Sequence, residues 1–281
     1  MHTEGITFVG GGNMARSLIG GLVGQSVAPE QIRVLDPDPD AAARIQSLWG
    51  VTVTKDPAAA LADTDTVVVA VKPQVVQTAI PAIREHLPDG RPLVISVAAG
   101  TQTSTLTGLI RRPLPVIRAM PNTPALLGCG ATALFAAPGV NANEKERAEH
   151  ILRSAGLVVW VDDERQMDAV TAVSGSGPAY FFYLMEHLLA GAVAEGLPEE
   201  TARLLVMETA LGAAKMALES EDDIATLRRR VTSPGGTTEA AIDSLRKDGF
   251  GAAVGRAVAA AADRSRALAA DLAPTEESRK P

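Results

Sequence analysis

The sequence predicts an α/β fold in two parts: a doubly wound sheet over residues 1–162, then an all-helical domain over 163–281. Three observations carry this. Short apolar runs alternate with helix-forming stretches up to about residue 162. Those runs are mostly continuous in Val, Ile and Leu rather than alternating with polar residues. After that point no such run occurs, and long Ala- and Leu-rich stretches take over. Continuous apolar runs are how strands buried on both faces read, and strand–helix–strand repetition builds a sheet covered on both sides. A chain of 281 residues also suits two domains.

In chain order, strands are expected at Ile6–Gly10, Ile32–Leu35, Thr66–Val71, Pro92–Val97, Val116–Met120, Ala131–Phe135 and Leu157–Val161. Between them, Met14–Gly24, Pro39–Leu48, Pro57–Leu61, Val75–His86 and Asn143–Ser154 carry helix formers. The second half reads as helices at Pro178–Glu195, Pro198–Leu218, Ile224–Arg230, Thr237–Lys247 and Phe250–Ala270. Pro178 and Pro198 sit where a helix begins, a position at which the missing N–H costs nothing. The stretch Ala252–Ala262 is apolar around most of its girth, which calls for burial on more than one side and for helix exchange between subunits. The competing reading is that alanine is simply a good helix former. The polar segment 274–281 is expected to fray.

Composition narrows the function. A net charge of −7 and 3% aromatic residues argue against a nucleic-acid partner, which needs a basic face and often stacking rings. Hydrophobic residues at 46% suffice for a full core. The one cysteine, Cys129, has no internal partner, which fits a reducing compartment; it sits between Gly128 and Gly130 and reads as small packing. The N-terminus lacks a basic region and no apolar stretch is long enough to span a bilayer, so neither a signal peptide nor a membrane partner is expected and the setting is cytoplasmic. Four scattered histidines without ligand spacing predict no metal.

Gly10-Gly11-Gly12-Asn13-Met14-Ala15 follows the first strand and opens the first helix, fitting G-x-G-x-x-[GA] at Gly10, Gly12 and Ala15. Gly10 permits the tight turn, Gly12 lets a pyrophosphate approach the backbone, and Ala15 lets the helix pack on the strand. Free N–H groups at the helix start, with its dipole, favour the anion. Asp36 falls 21 residues past Ala15, at the end of the second strand. A carboxylate there suits the ribose hydroxyls of NAD and repels the 2′-phosphate of NADP, so the expected cofactor is NAD(P)H with a preference for NADH. Arg33 and Lys55 lie nearby and carry the opposite charge; Asp36 read alone also serves as a turn or helix cap. Ala70-Val71-Lys72-Pro73 and Ala98-Ala99-Gly100 each follow a strand, where loops of such sheets face the ligand. This is a Rossmann-type dinucleotide domain.

The helical half is interrupted by Val231–Ile242, VTSPGGTTEAAI. A Pro, two glycines and clustered hydroxyls ahead of a helix mark either a capped helix start or a place where backbone approaches a ligand. Ser174-Gly175-Ser176-Gly177-Pro178 opens the long helix and reads as a packing site beside the cleft, a hinge, or both.

Five blocks together resemble the pyrroline-5-carboxylate reductases: GGGNMA at 10–15, AVKP at 70–73, RAMPNTPA at 118–125, DAVTAVSGSGPAY at 168–180 and VTSPGGTT at 231–238. The resemblance covers nearly the whole chain. It implies hydride transfer from NAD(P)H to the C=N carbon of 1-pyrroline-5-carboxylate, giving L-proline. It also implies a helical domain that interlocks in a homodimer, with dimers commonly assembling into a decamer. It places Glu221, Ser233, Thr237 and Thr238 at the substrate, with Gly236 presenting backbone beside them. Thr238 becomes the catalytic candidate, as a hydrogen-bond partner of the ring nitrogen or a proton relay. Asn122, ending the strand at 116–120, is placed to reach the cofactor amide or the ring. The alternatives are a reductase of another cyclic imine, such as the six-membered homologue, and a 3-hydroxyacid dehydrogenase. The latter pattern would put lysine and asparagine on the helix Pro178–Glu195, which has neither. A nucleotide sensor without catalysis is disfavoured by the hydroxyl at Thr238.

Overall fold

The computed structural model describes residues 5–272; the expectation for the tail at 274–281 lies outside the described residues. The first part is a single eight-stranded sheet: β1 (Ile6–Val9), β2 (Ile32–Leu35), β3 (Thr52–Thr54), β4 (Thr66–Val69), β5 (Leu93–Ser96), β6 (Val116–Met120), β7 (Gly130–Ala136) and β8 (Gly156–Trp160). Their order across the sheet is β3-β2-β1-β4-β5-β6-β7-β8. All neighbours are parallel except β6 and β7. That exception follows from length. The link between them holds only a short 3₁₀ turn, Thr123–Leu127, whereas a parallel crossover needs about a dozen residues or more.

Helices α1 (Asn13–Gly24), α2 (Pro39–Trp49), α3 (Pro57–Leu61), α4 (Pro73–Arg84), α5 (Thr103–Ile110) and α6 (Ala142–Arg153) cover both faces. One face packs Phe8, Val34, Val68, Ile95 and Ile117 against Leu18, Ile19, Leu22 and Ile45. The other packs Val9, Val67, Val69 and Val94 against Val76, Ile80, Ile83 and Leu106. Adjacent strand residues thus feed opposite cores, which is why the runs are apolar throughout. Each fully buried side chain of this size contributes about 1.5–3 kcal/mol. The sequence reading lacks β3 and α5. β3 is three residues long and lies at the sheet edge. α5 is rich in threonine and owes its start to a distant residue, described below.

Two compact units result: Gly177–Ala260, and the remainder of the described residues. The sheet-bearing unit runs on through Ser176. The reason is that α7 (Gln166–Val170) and the π-helical turn Thr171–Gly175 pack with the sheet unit, where Met167 and Ala172 are fully buried. The end of the last helix belongs to that unit as well. The second unit consists of α8 (Gly177–Ala194), α9 (Glu199–Glu219), α10 (Ile224–Arg230), α11 (Thr237–Lys247) and the first half of α12 (Phe250–Asp271). Among residues 177–260 only Gly177 and Ala202 are buried. Phe181, Phe182 and Tyr183 are each more than 60% exposed, and Leu188, Leu204, Leu205 and Leu211 also face outward. A single chain therefore gives this unit almost no core. Exposed apolar surface of that extent marks an association face.

Candidate functional site

The strand order reverses at β1 and β4, so the loops at their carboxyl ends diverge and leave a crevice. A cleft of about 600 Å³ opens there, lined by Gly10, Gly12, Asp36, Ala70, Val71 and Lys72 among others. Six of the expected cofactor residues thus share one wall. Gly10 has φ +98°, and a β-carbon on it would lie 2.9 Å from Val71 Cγ1 and 3.0 Å from the Ala70 carbonyl oxygen. At Gly11, where φ is not positive, a β-carbon would fall 2.6 Å from the Ile45 Cδ1 side-chain end, so the constraint there is side-chain packing alone. A β-carbon on Gly12 would meet nothing within 4 Å, so that position faces open space.

Gly12 is the N-cap of α1 and makes no side-chain cap bond. The amides of Asn13 and Met14 belong to the first turn, whose N–H groups have no intrahelical acceptor. Asp36 closes the loop from the side: its Oδ2 accepts from the Gly11 N–H at 2.6 Å and its Oδ1 from the Asp38 N–H at 2.8 Å. The cradle has an open glycine, a cap-free helix start and a carboxylate at the end of β2. It fits a dinucleotide. Lys72 is the N-cap of α4 and exposed; Pro73 occupies the first position of that helix. Lys55 also lines the cleft, while the Arg33 guanidinium is engaged by the Ala62 carbonyl. Val75, Thr78 and Ala79 extend the wall along α4. They were missed because nothing in their residue types marks them; only the direction of α4 does.

Ala98, Ala99 and Gly100 leave β5 in a tight loop with Gly100 at φ +72°. Asn122 is spent on structure. Its Oδ1 accepts from the Ala131 N–H at 2.9 Å, and its Nδ2 donates to the Ser174 carbonyl at 3.2 Å and hydroxyl at 3.3 Å. A contact from Asn122 to a ligand would have to break this brace.

In the helical unit, Ser233-Pro234-Gly235-Gly236 forms a β-turn. The Gly236 N–H donates to the Ser233 carbonyl at 3.0 Å and Gly235 has φ +71°. Proline at the second turn position and a positive φ at the third are the signature of type II, which is why the sequence reads P-G there. The turn delivers the chain to α11 with Gly236 as an N-cap lacking any side-chain bond. Glu239 reaches back to the Gly235 N–H at 2.7 Å and braces the turn. Ser233 and Thr237 are exposed and Thr238 half-buried around this uncapped start. Glu221 is exposed in the link from α9 to α10; its neighbour Asp222 pairs with Arg230. Asp223 caps α10. The Thr226 N–H and hydroxyl both donate to it, and these bonds hold its carboxyl below the usual range. An uncapped helix start ringed by hydroxyls can accept a carboxylate. Among the described residues there is no cluster of three or more potential metal ligands, and no helix is long and apolar enough to cross a membrane.

Residues 164–268 match the family model described as pyrroline-5-carboxylate reductase dimerisation, and residues 5–100 match that of the coenzyme F420-dependent NADP oxidoreductases. A pyrroline-5-carboxylate reductase of Pseudomonas aeruginosa is 49% identical over 97% of this chain and 99% of its own. The structure of such a reductase from Coxiella burnetii aligns with a TM-score of 0.90 at 41% identity, covering 97% of this chain and all of the other. A Plasmodium falciparum pyrroline carboxylate reductase, solved with NADP bound, aligns with a TM-score of 0.84 at 28% identity, covering 96% and 99%.

Proposed function

The chain belongs to the pyrroline-5-carboxylate reductase family, and from that premise we propose how its own residues divide the work of reducing 1-pyrroline-5-carboxylate to L-proline. A nicotinamide cofactor supplies the hydride that this reaction adds to the C=N carbon. Gly10–Met14 hold the pyrophosphate through the open start of α1. Asp36 takes the ribose hydroxyls. Ala70–Pro73 and Ala98–Gly100 line the remainder of the cofactor's path. The negative charge fixed at Asp36 disfavours a 2′-phosphate, so NADH is the preferred form, and Lys55 on the same wall keeps NADPH usable. The bonds that fasten Asp36 to Gly11 and Asp38 support this reading, because a held carboxylate does not swing away from an incoming phosphate.

At the other ligand, the N–H groups at the start of α11, from Gly236 onward, bind the substrate carboxylate, with Ser233 and Thr237 adding hydroxyl donors and Glu221 bordering the site. The Thr238 hydroxyl hydrogen-bonds the ring nitrogen. A threonine hydroxyl is a poor acid, so the proton that reaches nitrogen is drawn from solvent through it. Carbon gains the hydride and nitrogen the proton, which balances the imine-to-amine reduction. The type II turn that leaves α11 uncapped is the observation that carries this assignment.

The chain is a homo-oligomer. We assign the contact to a homodimer through the helical unit, with further assembly of dimers into a decamer, supported by the near absence of a core within 177–260. A cytoplasmic setting fits the lone cysteine. The direct test follows oxidation of NADH and of NADPH with pyrroline-5-carboxylate and with its six-membered homologue. Turnover of the larger ring alone, or no preference for NADH, would overturn the corresponding assignment.

A further inference from the structure

Two carboxylates four residues apart, Glu164 just ahead of α7 and Asp168 within it, have no part in the mechanism above. Glu164 binds the first residue of α5: its Oε1 accepts from the Thr103 N–H at 2.8 Å and its Oε2 from the Thr103 hydroxyl at 2.7 Å. Gln102, the N-cap of α5, makes no side-chain cap bond, so this distant carboxylate does the capping. The same Oε1 accepts from Arg118 Nη1 at 3.2 Å. Arg118 is 3% exposed, and its Nη2 is buried with no partner. Glu164 is therefore the counter-charge to a buried guanidinium as well as the cap of a helix.

Asp168 pins a second element. The buried Ser265 hydroxyl of α12 donates to its Oδ1 at 2.7 Å. One turn further along α12, Leu268 and Ala269 lie alongside Gly100: a β-carbon built there would sit at ordinary contact distance, 3.5 Å from Leu268 Cβ and 3.6 Å from the Ala269 nitrogen. Gln77 of α4 donates to the Leu272 carbonyl at 3.1 Å. The loop Ala98–Thr103 is thus fastened at its far end by Glu164 and flanked at its middle by a helix that Asp168 holds.

We propose that Glu164 and Asp168 are positioning residues that fix the Ala98–Thr103 loop for cofactor binding, Glu164 through Thr103 and Asp168 through Ser265. This rests on the reading that Ala98–Gly100 borders the cofactor. Neither carboxylate touches the reacting atoms. Their contribution is to hold backbone that would otherwise be ordered anew each time the cofactor binds, and that ordering would weaken binding.

The test uses the full-length protein as E164Q and as S265A. Glu164→Gln removes the charge at nearly constant size. Ser265→Ala leaves the Arg118–Glu164 pair intact and puts the best helix former into α12, so it keeps the fold if Glu164→Gln does not. Two readouts are taken. Hydrogen exchange of the free protein follows the amides of 98–103. Fluorescence titration with NADH, without substrate, gives the cofactor affinity. Faster exchange confined to 98–103 is expected, with NADH affinity weakened about tenfold, the scale of ordering a short stretch of chain on binding. In turnover the KM for NADH rises while kcat at saturating NADH stays within about twofold, a pattern of lost binding rather than lost chemistry. Unchanged exchange at 98–103 in both variants overturns the clamp. Faster exchange with unchanged NADH affinity shows that the clamp exists but that the loop does not border the cofactor, which overturns the positioning role and that part of the cofactor reading together.

Discussion

The Asp36 carboxylate accepts the Gly11 N–H at 2.6 Å, so the residue expected to read the ribose also closes the glycine turn. Asp36→Ser removes the charge and the bond together. Use of NADPH relative to NADH should rise by an order of magnitude or more, measured as the ratio of the two kcat/KM values. Affinity for both cofactors should fall as the turn loosens. An unchanged ratio would place the discrimination elsewhere, with Lys55 the next residue to replace.

Gly10 and Gly12 are needed for different reasons, and substitution separates them. Gly10→Ala forces a β-carbon against Val71 and Ala70 at φ +98°. It should destabilise the fold by about 1–2 kcal/mol from backbone strain alone, read from urea unfolding. A β-carbon on Gly12 meets nothing within 4 Å, so Gly12→Val should leave the unfolding midpoint unchanged while abolishing NADH binding. Loss of stability in Gly12→Val would mean that the position is structural after all.

Thr238→Ala should lower kcat by more than tenfold, with the circular-dichroism spectrum and oligomer size retained. Thr238→Ser keeps a hydroxyl and should recover most of the activity. Near-normal turnover in the alanine variant would remove the hydroxyl from the reaction.

Asp223 caps α10 through the Thr226 N–H, and that bond lowers its carboxyl pKa in the folded state. A lowered folded pKa means stabilisation that is present above the unfolded carboxylate range and is lost as pH falls through the folded value. Asp223→Asn retains an acceptor without a titrating charge. The melting temperature of the native chain should therefore drop more than that of the variant between pH 7 and pH 3. Parallel drops would show that the cap contributes nothing pH-dependent.

The helical unit buries only Gly177 and Ala202 among 177–260, so its stability must come from association. Its unfolding midpoint should rise with protein concentration, and dilution should cost helix content and activity together. Phe182→Asp should have the same effect at any concentration. A concentration-independent midpoint would require some other source of stability.

The glycine turn, Asp36 and the strand sequence were legible because local chemistry dictates them: a positive φ, an open approach, a run buried on both faces. The type II turn at 233–236 was legible as a break, and its P-G pair encodes the geometry found. α5 was not, since Thr103-Ser104-Thr105 lacks helix propensity and its cap arrives from Glu164, 61 residues away in sequence. Asn122 reads in sequence as a group placed to reach the cofactor amide or the ring, yet its side chain is bonded to Ala131 and Ser174 of two other elements. The choice between alanine as helix former and alanine as interface could not be made from the run at 252–262. What points to association is elsewhere, in Phe181 and Phe182 of α8, exposed in the single chain.

A helical unit that a second copy completes, as proposed above, would have a genetic corollary. A lesion in α8 or α9 would not stay confined to the polypeptide that bears it. Co-expressed with an intact allele, the damaged product would recruit sound subunits into mixed assemblies, and the deficit would exceed the share of defective chains made.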